Sequence, residues 1–230
     1  MLLILIRSFL ATKIKYKAAA PACSLADDYL GNVINLRETL DMANLPVFTT
    51  ERLILRGLTE ADAPAYEKNF VDYEVISQLA FAVPWPYPAG GVLDYIRHQI
   101  IPRQGNDRWV WGILVKEQPS EIIGVVDLWR SGTPENRGFW LGRKYWGKGI
   151  MTEAVFPVMD YAFDVLGFES LFFSNALGNE RSRRVKEKTG ARFLRTEPGK
   201  FVNPLYTERE IWELTKPLWR EFKSQQKICR

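Results

Sequence analysis

The spacing of apolar residues predicts alternating strands and helices from residue 52 onwards. Charged and aliphatic residues alternate over 52–56, which predicts a first strand. Three helices follow, and they are predicted over 59–70, over 72–79 and from about residue 93 to Pro102. A proline-rich rigid loop at 84–88 separates the second helix from the third. Short strands separated by turn residues then predict antiparallel neighbours; these strands cover 108–115, 121–129 and 137–142, with a turn at 131–136.

The second half of the chain continues the pattern with longer helices. Apolar residues recur at helical spacing over 150–166, although Pro157 lies inside this helix and predicts a kink or a missing bond. A buried strand is predicted at 171–173. A basic amphipathic helix covers 179–189 and is ended by Gly190, and two strands lie within 192–214. The order predicts one mixed α/β domain.

The first forty-one residues differ from the rest of the chain. They have an apolar start broken by Arg7, then three lysines, and no acidic residue before Asp27. A secretory signal fits poorly, because the apolar run before Arg7 is only about six residues long. An organelle transit peptide fits the basic character, but serine is scarce. We favour a poorly ordered extension over 1–41, with Met42 as a candidate true start and the working domain over 42–230.

Composition excludes several classes of protein. The chain has 230 residues, 47% of them hydrophobic, which is enough for a core without disulfides. Cys23 and Cys229 give no zinc spacing, and a reducing, cytoplasmic compartment is expected. His98 is the only histidine in the sequence and is predicted to be a surface or packing residue. No metal site and no membrane span are expected.

Positive charge is concentrated in one stretch. The whole chain carries +4, whereas residues 181–200 hold eight basic residues against two acidic ones, a net charge of +6. A local positive segment suits a phosphate-bearing ligand, although a solvated helix face is the simpler interpretation. Because the charge is local, a nucleic-acid partner is not expected.

The most informative stretch is the glycine-bearing loop over 140–154, between a strand and a helix. Gly147 and Gly149 let the backbone approach a ligand, and N–H groups at a helix N-terminus bind anions. Lys144 and Lys148 add positive charge. The loop matches neither G-x-x-x-x-G-K-[ST] nor G-x-G-x-x-G, so a structural turn remains an alternative.

This stretch resembles the pyrophosphate loop of the GCN5-related N-acetyltransferase (GNAT) family, [Q/R]-x-x-G-x-[G/A]. Lys144-Tyr145-Trp146-Gly147-Lys148-Gly149 departs from it at Lys144, which keeps the charge. Asn179-Glu180-Arg181-Ser182 resembles the Asn-x-x-Ser element of the branch that includes ribosomal-protein N-terminal alanine and serine acetyltransferases. The opening strand 50–56 is also similar, and the likeness covers about residues 48–215.

The resemblance implies a GNAT-like domain with a mixed, mostly antiparallel central sheet, flanked by helices and splayed between two central strands. It implies acetyl-CoA as acetyl donor, transferred by direct attack of a primary amine in a ternary complex, with no covalent enzyme intermediate and no metal. The implied cofactor-binding residues are Leu141, Lys144, Trp146, Gly147, Lys148, Gly149, Ile150 and Asn179. A backbone N–H near Leu141 or Gly142 would stabilise the oxyanion.

Ser182 matches the branch's candidate proton donor to the departing thiolate. For the base, Asp127 is our first candidate and Glu135 the reserve, because a carboxylate beside a cleft can accept a proton; a salt bridge is the alternative for Asp127. We assign Glu153 to helix structure. Aromatic residues are candidates for lining the acceptor cleft, with packing as their alternative role: Trp85, Tyr87, Trp129 and Trp140.

The sequence leaves the acceptor open: a protein N-terminus, a polyamine, a drug amine or a small metabolite. The chain is expected to act as a monomer or homodimer. A non-catalytic CoA-binding sensor and a basic ribosome- or nucleic-acid-binding protein are the alternative functions.

Overall fold

Two antiparallel sheets form the centre of the fold. The computed structural model describes residues 45–130 and 134–228. The strands are β1 (Phe48–Thr49), β2 (Leu53–Gly57), β3 (Arg108–Val115), β4 (Gly124–Trp129), β5 (Arg137–Leu141), β6 (Ser170–Ala176), β7 (Arg192–Pro198) and β8 (Glu208–Thr215). The first five pair in chain order, and the last three pair in the order β6-β8-β7.

In the described part of the chain, six α-helices surround the sheets: α1 (Ala63–Phe70), α2 (Tyr73–Ile76), α3 (Gly91–Tyr95), α4 (Ile150–Asp164), α5 (Glu180–Glu187) and α6 (Lys216–Ile228). A π-helical turn and a 3-10 turn extend α3 over Ile96–Ile100 and Ile101–Arg103. Further 3-10 turns precede α1 (Glu60–Asp62) and follow β5 (Arg143–Tyr145).

The five-stranded sheet has an apolar core on each face. On one face, Trp111 and Leu128 pack with α4 and with Trp219 of α6. On the other face, Trp140 packs with Tyr66 and helices α1 to α3. Because both faces are covered, six of the eight residues of β3 are buried.

Strands β5 and β6 separate from each other and make the feature that positions the site. One backbone bond, from Asn136 N to Phe172 O (2.8 Å), connects their beginnings. The strands belong to different sheets, and α4 makes the connection between them. The predicted mixed α/β fold with splayed central strands is therefore confirmed.

Helix α6 and the short strand β1 were not predicted from the sequence. The local signals for α6 are present: the Thr215 hydroxyl accepts a hydrogen bond from Leu218 N (3.3 Å), and Pro217 stands in the first turn. Its Trp219 ring stacks with Phe222. The predicted second helix is shorter than expected and covers only Tyr73–Ile76.

Some predictions concern residues outside the described part of the chain. These are the extension over 1–41, both cysteines, and residues 131–133 of the predicted turn. Within the described ranges, no helix combines the length and the apolar character needed to cross a bilayer.

Candidate functional site

A cleft of about 1090 Å³ opens where β5 and β6 separate. Its walls come from both strands, from the loop after β5, and from the beginnings of α4 and α5. Seven residues predicted for the site line it: Leu141, Trp146, Gly147, Gly149, Ile150, Asn179 and Ser182. The splay thus brings together two motifs that are thirty residues apart in sequence.

The glycine loop ends at the N-terminus of α4. Gly147 and Gly149 both have φ of +74°, in the left-handed region that favours glycine, and Gly149 is the N-cap of α4. A Cβ at Gly147 would meet no heavy atom within 4 Å, so the space beside it is open. The first N–H groups of a helix have no intrahelical partner and carry the positive end of its dipole. The loop can therefore hold an anion such as a pyrophosphate.

The residues just before strand β2 anchor the beginning of α4. Arg52 Nη1 donates to Lys148 O (3.0 Å), and Arg52 Nε donates to Glu153 Oε2 (2.7 Å). Thr50 also donates its hydroxyl to Glu153 Oε1 (2.5 Å). Burial alone would raise the pKa of Glu153, but these hydrogen bonds lower it, so the carboxylate stays charged. These contacts agree with a structural role for Glu153.

Two contacts hold the Trp146 side chain in place. Its Nε1 donates to Leu141 O (2.6 Å), and the Arg181 guanidinium lies 3.9 Å from its ring centroid. Arg181 belongs to the first turn of α5, so this contact joins the two motifs directly.

Asn179 organises the beginning of α5. Its Oδ1 accepts a hydrogen bond from Ser182 N (3.1 Å), which caps the helix. The oxygen therefore has a structural task, and the side-chain NH₂ is the group that can donate to a ligand. Ser182 is half-buried, and its hydroxyl accepts a hydrogen bond from Lys186 Nζ (2.8 Å).

The other predicted binding residues lie elsewhere. Lys144 Nζ binds Glu121 Oε1 (3.0 Å) and does not line the cleft. The Lys148 side chain does not line it either, although its carbonyl receives Arg52. Both lysines are in the loop, but neither lines the space between β5 and β6.

Asp127 does not line the cleft either, although its ladder partner Gly138 does. Asp127 pairs with Gly138 in the β4–β5 ladder and forms a salt bridge with Arg108 on β3, which also bonds Tyr95. Burial raises the pKa of Asp127 above its ordinary value, although the hydrogen bonds and charge of Arg108 act to lower it. Burial acts to lower the pKa of Arg108, but Asp127 raises it. We take the pair as charged, because three hydrogen bonds join the guanidinium to the carboxylate. The structure therefore contains the salt bridge that the sequence analysis gave as the alternative role of Asp127.

Glu135 does line the cleft, together with Arg209, which the sequence reasoning missed. Arg209 donates to Glu135 (2.6 Å) and to Glu197 (2.6 Å), and the Ser174 hydroxyl donates to Glu135 (3.2 Å). Arg209 stands on β8, opposite Ala176 and Glu197 in the ladders. No sequence motif marks this residue.

Two of the four aromatic candidates, Trp129 and Trp140, line the cleft. Trp140 Nε1 donates a hydrogen bond to Tyr66 OH (3.1 Å). Trp85 is 42% exposed and contacts Tyr73 instead. Tyr87 packs on Phe70, and its burial raises its pKa to about 12.

The basic segment is divided by the fold. Five of its eight basic residues line the cleft: Arg181, Arg184, Lys186, Lys188 and Lys200. The other three are in ion pairs: Arg183, Arg192 and Arg195. His98 is exposed, as predicted, and does not line the cleft. Over the described residues, no group of three or more acidic, His or Cys side chains is arranged to hold a metal ion.

The profile of the acetyltransferase (GNAT) domain matches residues 52–192. The chain belongs to this family. It is 34% identical over 111 residues to the Bacillus subtilis (strain 168) protein YdaF, which is named as a ribosomal N-acetyltransferase. That alignment covers 47% of this chain and 60% of YdaF, so the chain spans less than two thirds of this relative.

Two solved structures show the same fold. The ribosomal-protein-S5-alanine acetyltransferase from Vibrio fischeri is 18% identical with a TM-score of 0.64, covering 76% of this chain and 99% of that one. RimL, the ribosomal L7/L12 alpha-N-protein acetyltransferase solved with coenzyme A, is 16% identical with a TM-score of 0.61. The match covers 75% of this chain and 97% of RimL.

Proposed function

We propose that this protein is an acetyl-CoA-dependent N-acetyltransferase that moves the acetyl group directly to a primary amine in a ternary complex. The observation that carries the proposal is the cleft itself. It joins an anion-binding glycine loop to Ser182 across the opening between β5 and β6. Membership of the acetyltransferase (GNAT) family supports the same chemistry.

In the proposal, the backbone of Gly147, Gly149 and Ile150 holds the pyrophosphate at the beginning of α4. Trp146 closes the loop over Leu141, and the Asn179 amide donates to the pantetheine arm. Lys144 and Lys148 then act at longer range, since their side chains do not line the cleft. Arg184 and Lys188 are better placed to meet the phosphates.

The oxyanion donor in this proposal is Leu141 N–H. Gly142 N already donates to Ile123 O (2.8 Å), so that group is occupied. In an antiparallel ladder, successive residues turn their N–H groups to opposite sides. The Leu141 N–H therefore turns away from β4 and towards the gap, where a thioester carbonyl would lie.

For proton transfer, we propose Ser182 as the donor to the departing thiolate. Asp127 stays a prediction for the base, although it does not line the cleft and forms a salt bridge with Arg108. Glu135 lines the cleft, although Arg209 holds its carboxylate. Water remains a further candidate for carrying the proton away from the amine.

A protein N-terminus is the acceptor that we favour among primary amines, because relatives are named as ribosomal-protein acetyltransferases. A small-molecule amine is the other acceptor class. We further propose that the enzyme acts in the cytoplasm, as a monomer or a homodimer, and that the domain covers 42–230.

Calorimetric titration with acetyl-CoA tests the proposal. Gly147→Asp places a carboxylate in the pyrophosphate loop, and we expect it to abolish binding. Gly167→Asp is a matched control: Gly167 also has a positive φ, +69°, and open space beside it, but it does not line the cleft. Equal binding by wild type, Gly147→Asp and Gly167→Asp would contradict the proposed loop.

Thiol release on a panel of amines and peptides separates the alternatives. Release with any amine supports the enzyme. Binding of acetyl-CoA without release across the panel would favour a CoA sensor. A wild-type protein that does not bind acetyl-CoA would leave the ribosome- or nucleic-acid-binding alternative.

A further inference from the structure

Two buried cations lie behind Ser182, at the inner wall of the cleft. Lys186 on α5 is 1% exposed and Arg137 at the start of β5 is 3% exposed. Charged residues are almost never fully buried unless they are paired. Within the described residues, however, the Lys186 ammonium has no salt bridge, and its one hydrogen bond goes to Ser182 Oγ.

Burial and a neighbouring cation disfavour the positive charge of Lys186. The rings of Phe139 and Phe173, 5.7 and 5.9 Å from its Nζ, give that charge only weak cation–π support. Burial is the largest cause that lowers the pKa of Lys186 well below its ordinary value, and the charge of Arg137 lowers it further. Arg137 itself stacks 3.7 Å from the Phe173 centroid.

The Arg137 guanidinium has few hydrogen-bond partners. Its Nη1 contacts Met159 Sδ at 3.6 Å, while Nε and Nη2 have no hydrogen-bond partner among the described residues. Burial lowers its pKa to about 9, which still leaves it charged at neutral pH. A fixed guanidinium therefore faces Lys186 from β5.

The counter-charge on β8 is already engaged. Glu210 is buried and acts to raise the pKa of Lys186. Its Oε2 accepts from Asn175 (3.0 Å) and Trp212 (3.3 Å), and its Oε1 pairs with Arg183 (3.2 Å). The carboxylate is thus shared among other donors, and Lys186 keeps only the hydroxyl of Ser182.

We propose that Lys186 is a positioning residue that orients Ser182 and supplies the proton which Ser182 passes to the departing thiolate. This inference rests on the proposed function. The amine nitrogen forms the C–N bond and the C–S bond breaks, with its electron pair staying on sulfur. Sulfur takes the Ser182 proton while Lys186 Nζ gives one to Ser182 Oγ. Lys186 is left neutral and regains a proton from solvent, and the surplus proton of the amine leaves through base or water.

An acid works best when its pKa lies near the working pH. An ordinary lysine is too weak an acid for this task, whereas a buried lysine beside Arg137 gives up its proton more readily. The apolar pocket also favours the neutral amine that remains after the transfer.

Lys186→Met tests the relay, because methionine suits an apolar pocket and preserves folding. We expect kcat to fall about tenfold or more, with the KM for acetyl-CoA nearly unchanged. The wild-type kcat should decline at alkaline pH, below the range of an ordinary lysine, and this decline should disappear in the variant. Lys68→Met is the control, since Lys68 is 65% exposed and outside the cleft.

The double variant Lys186→Met/Ser182→Ala should be no slower than Ser182→Ala alone. The two residues act in the same proton transfer, so removing the second has no further effect once the first is gone. Additive losses, or an unchanged kcat and pH profile in Lys186→Met, would overturn the inference while leaving the proposed function intact.

A second measurement does not depend on turnover. The ¹³Cε signal of Lys186, assigned by its loss in Lys186→Met, should titrate below the other lysines and shift in Ser182→Ala. A titration near the ordinary value of 10.5, unaffected by Ser182→Ala, would overturn the inference even if no amine were acetylated.

Discussion

At the scale of single residues, Ser182 is the side chain on which the proposed chemistry depends most. We expect Ser182→Ala to lower kcat by about a hundredfold or more, the range for loss of a general acid. Acetyl-CoA affinity should change little, because the interaction is used in the transition state. Thiol-release kinetics and calorimetry measure the two quantities. Ser224→Ala on exposed α6 is the control, and equal turnover in Ser182→Ala and wild type would remove Ser182 from the mechanism.

Asp127 shows how a residue's partner changes its predicted role. Asp127→Asn leaves Arg108 buried without its counter-charge, and removing one partner of such a pair costs about 3 kcal/mol of unfolding free energy. Urea unfolding measures this loss, with exposed Asp94→Asn as control. Because Asp127 is outside the cleft, we expect the pH profile of kcat to stay unchanged. Loss of the acidic limb of that profile would restore Asp127 as the base.

At the scale of elements, the glycine loop was predictable because its signal is local. Two glycines before a helical pattern can be recognised in the sequence, and the structure gives both a positive φ just before α4. The Asn179 cap is local in the same way. By contrast, the ion pair between Lys144 and Glu121 joins residues 23 positions apart, and the contact of Arg209 with Glu135 joins residues 74 apart. Such contacts depend on strand pairing, which periodicity alone does not specify.

Glu121 ties the glycine loop to helix α1, and this gives a pH prediction. Hydrogen bonds from Asn69 and then from Lys144 lower the pKa of Glu121 from 4.5 to about 2. The folded carboxylate binds its proton less readily than the unfolded one. Its stabilisation is therefore present above pH 4.5 and is lost as the pH falls towards 2. Glu121→Gln should flatten the pH dependence of unfolding in this window.

Urea unfolding between pH 2 and pH 6 measures the effect of Glu121→Gln. Glu117→Gln, an exposed carboxylate on the same β3–β4 connection, should keep the wild-type slope. If both variants follow the wild-type curve, the contact of Glu121 with Asn69 and Lys144 does not contribute to acid stability.

At the scale of the whole molecule, the fold sorts charge that the sequence places in one run. The +6 segment contributes Arg184 and Lys188 to the cleft, while Arg192 and Arg195 on β7 pair with Glu213 and Glu197 of the same three-stranded sheet. Of these four basic residues, only Arg184 and Lys188 line the cleft, where they can attract the phosphates of coenzyme A. The affinity for acetyl-CoA should therefore fall several-fold between 0.1 M and 1 M salt, as the screening length drops from about 10 Å to about 3 Å.

Two double variants distinguish local from overall charge in this salt dependence. Arg184→Gln/Lys188→Gln should weaken binding at 0.1 M salt and flatten the dependence on salt. Arg192→Gln/Arg195→Gln removes the same charge from the same segment and should leave both nearly unchanged. If the two double variants behave alike, the net charge of the segment matters more than its position, and the cleft-lining cations have no special part in binding.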